Sequence, residues 1–125
     1  MNGLYVLLSM VFCHIVDDYY LQGKLALFKQ KSWWEEKAPD EMYKYDYIVA
    51  LMMHSFSWAF MVMLSVAVSQ RLDIGAGFAA MFVANTAIHA IVDDLKANKR
   101  KINLVMDQSI HIGQIIVTFL ICIAR

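Results

Sequence analysis

A chain of 125 residues that is 60% hydrophobic, with a mean hydropathy of +0.50, is more apolar than an ordinary soluble domain, which carries about 45–50% apolar residues. Eleven basic residues against eleven acidic ones leave no net charge to select a partner. The length allows one domain, and two cysteines in separate apolar runs, Cys13 and Cys122, give no sign of a disulfide framework.

The first apolar run, Gly3–Val16, continues into Asp17, Asp18 and Gln22. It falls short of the about 17–25 residues that a span needs. It crosses only if the Asp-containing turn also lies within the membrane region. No basic residue precedes it and no small-residue cleavage site follows, so a retained helix is expected rather than a signal peptide. A polar connection follows, with Trp33-Trp34 beside Glu35-Glu36, which predicts an interfacial helix or loop. The next runs, Tyr47–Ser69, Ile74–Val92 and Ile102 to Ala124, are each long enough alone. A soluble bundle would not need three of them.

The expected architecture is therefore all-α: a four-helix transmembrane bundle forming a single integral membrane domain over 1–125, with spans at about 3–22, 46–70, 73–96 and 102–124. On the third span Ala76, Ala80 and Ala84 recur every four residues. Small residues at this spacing let backbones approach closely in lipid, which predicts a helix–helix contact and offers a face for a homo-oligomer.

The connections differ in charge. Lys24, Lys29, Lys31, Lys37 and Lys44 lie between the first and second spans, and Lys96, Lys99, Arg100 and Lys101 between the third and fourth. Only Arg71 and Arg125 fall on the other side. The positive-inside bias then puts both basic loops in the cytoplasm and both termini outside it.

Ionisable groups inside spans are expensive and usually functional. All four histidines lie in spans, one on each: His14, His54, His89 and His111. Counted to the nearest basic-side helix end and converted at about 1.5 Å per residue, all four sit roughly 10–15 Å deep. Three have an aspartate four residues away on the same helix face: His14 with Asp18, His89 with Asp93, His111 with Asp107. His54 has none. The polar stripes extend to Gln22, Asn85 and Gln114, and must face the bundle interior because lipid cannot satisfy them.

Imidazoles with carboxylates suit zinc, with manganese or non-haem iron as alternatives. The candidate ligands are His14, Asp18, His54, His89, Asp93, Asp107 and His111. They exceed the need of one ion, so one or two divalent metals are expected. Carboxylates not used as ligands, among Asp18, Asp93 and Asp107, are candidate general bases. Gln22, Lys96 and Gln108 are candidate substrate contacts at the basic mouth. Asp17 and Asp94, next to the inward acids, are expected to point toward the interface. The segments His14-Ile-Val-Asp17-Asp18 and His89-Ala-Ile-Val-Asp93-Asp94 look alike.

At these residues the sequence resembles the domain-of-unknown-function 3307 family of small bacterial and phage membrane proteins. The pattern is His14/Asp18 followed by Leu21-Gln22, then His54, then His89/Asp93 before Lys96, then Asp107-Gln108/His111. The ordered set covers nearly the whole chain. The resemblance implies a bacterial inner membrane and, through a more distant similarity to membrane-bound metal-dependent hydrolases, a phosphoester substrate. Membrane lipid is the expected partner, with no nucleic acid. The connection Trp33–Tyr47 is longer than the family suggests. The alternative is a non-enzymatic metal- or haem-binding membrane protein, serving electron transfer, an ion pathway or a phage accessory role.

Overall fold

The computed structural model describes residues 2–124; Met1 and Arg125, the latter one of the two basic residues assigned to the far side, lie outside them. Helix α1 (Gly3–Val16) begins at Asn2, whose side chain accepts a hydrogen bond from the Leu4 amide at 2.8 Å and so satisfies one of the orphan donors of a helix start. It runs without a break into a π-helical turn, Asp17–Leu21. Gly23, at a φ of +54° that glycine adopts without steric cost, turns the chain away. Together Gly3–Leu21 make a 19-residue helix, about 28 Å long at the α-helical rise and close to the ~30 Å hydrocarbon core. The short first run thus reaches spanning length by including its aspartates.

Two short helices, α2 (Leu25–Phe28) and α3 (Lys31–Lys37), form the connection to the long helix α4 (Asp46–Ser69). Phe28, Trp33 and Trp34 pack on one another with ring centroids 4.9–5.7 Å apart, and the Trp34 indole donates to the Phe28 carbonyl at 2.7 Å. Helices α5 (Ala76–Ala97) and α6 (Leu104–Cys122) complete the bundle. The protein is all-α, without strands among the described residues, and four helices are long and apolar enough to cross a membrane.

Burial is inverted relative to a water-soluble bundle. Leu4, Leu8 and Phe12 of α1, Met53, Phe56 and Phe60 of α4, Val83 and Ile91 of α5, and Val117 and Leu120 of α6 are exposed. The histidines and most of their acids are buried. Lipid tolerates the first group, and only a bundle interior can satisfy the second. An apolar cluster of Val6, Met10, Trp58, Ala59, Val62, Val66 and Ile115 fills the rest of the interior. Its members lie toward the ends of the spans away from the basic loops.

One expectation changes. Ala76, Ala80 and Ala84 are exposed, so the small-residue face is not a contact within the chain. Helix α5 instead turns Asn85, Thr86, His89 and Asp93 inward, with Val92 beside them, because the four carry polar groups that lipid would leave unsatisfied.

Candidate metal centre

Each spanning helix delivers its histidine to one place, as the depth count predicts. The ring centroids of His89 and His111 are 4.1 Å apart, those of His54 and His89 5.0 Å, and those of His14 and His111 5.9 Å. All four rings are buried.

Two overlapping sets of donor atoms result: Asp18, His54 and His89, and His89, Asp93 and His111. In the first, His54 Nε2 is 3.3 Å from Asp18 Oδ1 and 3.2 Å from His89 Nε2. In the second, Asp93 Oδ1 is 3.3 Å from His111 Nε2 and 3.6 Å from His89 Nε2. Ligands about 2.0–2.2 Å from a tetrahedral ion stand about 3.3–3.6 Å from one another. The Asp93 separations to His89 and His111 fall on the edges of such a coordination polyhedron, while the first set is less regular, with His54 Nε2 and His89 Nε2 3.2 Å apart and Asp18 Oδ1 3.9 Å from His89 Nε2. Asp93 joins the two sets, since its other oxygen, Oδ2, is 3.3 Å from His54 Nε2. Asp107 Oδ1 approaches the second set at 3.4 Å from His111 Nε2.

A ligating imidazole usually has its other nitrogen held by an orienting partner; His111 has one, whereas Nδ1 of His54 and Nδ1 of His89 are buried without a hydrogen bond. His111 Nδ1 pairs with Gln114 Oε1 at 3.0 Å, and Gln114 Nε2 donates to the Asn85 side chain at 3.2 Å. Asn85 in turn donates to Thr118 Oγ1 at 2.9 Å. His54 Nδ1 faces Asp17 Oδ2 at 3.6 Å. Asp18 Oδ1 and Asp107 Oδ1 are buried atoms without a hydrogen-bond partner, each turned toward a histidine nitrogen. Buried carboxylate oxygens are costly to leave so, and a divalent cation would satisfy them. The histidine–aspartate cluster could therefore hold a metal ion.

The model of the family described as "Protein of unknown function (DUF3307)" matches residues 6–124. The chain belongs to that family. No curated protein and no solved structure matches it significantly. The match does not extend to membrane-bound metal-dependent hydrolases.

Several residues of this DUF3307 protein take places that the sequence did not foretell. Asp17 was expected to point toward the interface. It is fully buried, accepts a 2.5 Å hydrogen bond from Ser57 and faces His54. The cause is the π turn, whose wider ring brings two successive side chains to the interior. So the acid missing beside His54 comes from α1. Asp94 is only partly buried, and its carboxylate accepts from Asn98 at 2.8 Å.

His14 was expected to be a ligand, and it stands in neither donor set. Both its nitrogens are engaged. Nδ1 accepts from the Trp58 indole at 2.7 Å, and Nε2 pairs with Gln108 Oε1 at 3.0 Å. An accepting Nδ1 places the proton on Nε2. Gln108 then donates to Asp107 Oδ2 at 2.9 Å and to Asp18 Oδ2 at 3.3 Å. His14 and Gln108 together orient two carboxylates. Trp58 also stacks on His89 at 4.4 Å. Its place four residues after His54 on α4 is a signal of a shared face that was available in the sequence.

Lys96 contacts Asp107 Oδ2 at 3.1 Å and remains one-third exposed. Gln22 bonds its own helix, donating to the Asp18 carbonyl at 3.0 Å, while its Oε1 has no partner. Lys29, unremarkable in the sequence among other loop lysines, is buried with Nζ 2.7 Å from Asp93 Oδ2. The rings pack against one another and against Trp58.

Proposed function

We propose that this protein is a membrane-embedded metal-dependent hydrolase acting on a phosphoester of a lipid, or of another anionic substrate, near the cytoplasmic leaflet. The observation that carries the reading is the convergence of three imidazole Nε2 atoms on carboxylate oxygens at tetrahedral-edge distances. His54, His89, His111, Asp18 and Asp93 are the ligand set, with Asp107 beside it. One or two divalent ions fit, zinc best by donor type, with manganese or iron as alternatives.

Such an ion supplies Lewis acidity to a phosphoryl oxygen and makes water nucleophilic at neutral pH. The protein's own groups do the rest. Asp107 Oδ1 is free to take a proton from water, while Lys96 and Gln108 hold its other oxygen. Lys96 and the neighbouring basic loop attract an anionic headgroup. A groove of about 550 Å³ lined by Tyr19, Leu104, Val105, Gln108, Ser109 and Ile112 reaches the site through Gln108. It suits an acyl or isoprenoid chain arriving sideways from the bilayer. Gln22, with an unpartnered Oε1, is a second substrate contact.

The positive-inside bias supports a bacterial inner-membrane orientation with both termini outside the cytoplasm. The exposed Ala76, Ala80 and Ala84 face is suited to contact between copies.

The test is phosphate release from lipid phosphate esters in detergent micelles by the purified protein. Activity should require added zinc or manganese, fall to background with chelator, and vanish in Asp93→Asn. Chelator-resistant turnover, or none on any lipid phosphate by a metal-loaded protein, would overturn the hydrolase reading.

A further inference from the structure

Lys29 lies outside the spans, yet its side chain reaches the centre. Its Nζ sits 2.7 Å from Asp93 Oδ2, the length of a charge-assisted hydrogen bond. Chain on either side of it is tied down. Asn98 Nδ2 donates to the Lys29 carbonyl at 3.0 Å, and the Lys31 amide donates to Asn98 Oδ1 at 2.7 Å. Asn98 is itself held by Asp94, and Trp34 holds the Phe28 carbonyl just before. A lysine that merely snorkelled toward the surface would need no such clamp.

The oxygen that Lys29 occupies matters. Asp93 Oδ2 is the atom 3.3 Å from His54 Nε2. It would give the Asp18–His54–His89 set its fourth donor. The His89–Asp93–His111 set uses Asp93 Oδ1, which Lys29 leaves alone. Charge gives an independent argument. Four carboxylates meet here: Asp17, Asp93 and Asp107, all buried, and Asp18, partly so. Two lysines, Lys29 and Lys96, contact them. The remainder is two negative charges, the charge of one divalent ion. Buried charge that is not balanced is strongly disfavoured at membrane depth.

We propose that Lys29 holds the place of a second cation, so that the centre takes one resident divalent ion, at His89, Asp93 and His111 with Asp107 beside them. The inference rests on the metal reading above and fixes its stoichiometry. Lys29 acts as a positioning residue through Asp93, and keeps the His54 side of the centre free of metal.

The experiment is elemental analysis of the full chain in detergent, saturated with zinc and freed of excess. Wild type should hold one ion per chain, Lys29→Gln two, and Lys29→Arg one. Asn98→Ala, which loosens the clamp without changing charge, should show a second binding step in a zinc titration that wild type lacks. It decides the matter if Lys29→Gln does not fold. Two ions in wild type, or one in Lys29→Gln, overturns the proposal while leaving the metal reading intact, as does an Asn98→Ala titration identical to wild type. A wild type that binds no zinc ends both.

Discussion

The two Val-Asp-Asp segments make the instructive contrast. Each follows a buried histidine on a spanning helix: His14 ahead of Asp17 and Asp18, His89 ahead of Asp93 and Asp94. On α5 the helix stays regular, and only Asp93 turns inward. Asp94 faces the helix end and holds Asn98, which in turn fixes the Lys29 segment. On α1 the backbone widens to a π turn, and both acids enter the interior. Asp18 meets the Nε2 side of His54 while Asp17 meets its Nδ1 side. The same three residues thus supply a candidate donor and an external clamp on one helix, and a candidate donor and a carboxylate facing the far side of His54 on the other. What separates the two is one turn of backbone geometry.

Substitutions at these acids give graded ways to break the contrast. The largest effect is expected from Asp93→Asn, which removes the carboxylate joining both donor sets and the partner of Lys29. Zinc affinity should fall by more than the about 10–100-fold that loss of an orienting partner costs, measured by titration in detergent. Next is Asp17→Asn. Asp17 faces the His54 side, which takes an ion only when Lys29 is removed, so in a Lys29→Gln background the second zinc step should weaken about 10–100-fold with the helical circular dichroism unchanged; an undiminished second step would show that Asp17 does not act on His54.

A smaller effect is expected from Trp58→Phe, which keeps a ring against His89 but removes the indole donor to His14. Unfolding in mixed micelles should show a loss of about 1 kcal/mol, the net worth of a hydrogen bond, with bound metal retained. Smallest is Asp94→Ala, matched to Asp17→Asn at the equivalent place. Stability should stay within about 0.5 kcal/mol, as for most substitutions at a solvated edge, and the affinity for the resident zinc should change little, any second zinc step being weaker than in Asn98→Ala, whose bonds to the Lys29 segment Asp94→Ala leaves in place. Equal losses at Asp17 and Asp94 would erase the contrast.

How much of this was legible follows from which rules act locally. The spans are written in the length of their apolar runs. The meeting of four histidines is written in their common depth, since helix rise is fixed. The acids four residues from His14, His89 and His111 follow from helical periodicity. The π turn is not readable, because it depends on packing Asp17 against Ser57 and His54 from another helix. Nor is the role of Lys29, whose partner lies 64 residues away and whose neighbours in sequence are other loop lysines. His14 shows the limit of spacing arguments. Its distance from Asp18 suits a ligand pair, but Trp58 and Gln108 take both its nitrogens.

His89 is the residue shared by both sets of imidazole and carboxylate donors that could hold a metal. Metal analysis of purified wild type beside His89→Ala tests metal binding there most directly. Wild type should carry a stoichiometric divalent ion and His89→Ala almost none. A metal-free wild type, or an unchanged metal content in His89→Ala, would contradict it.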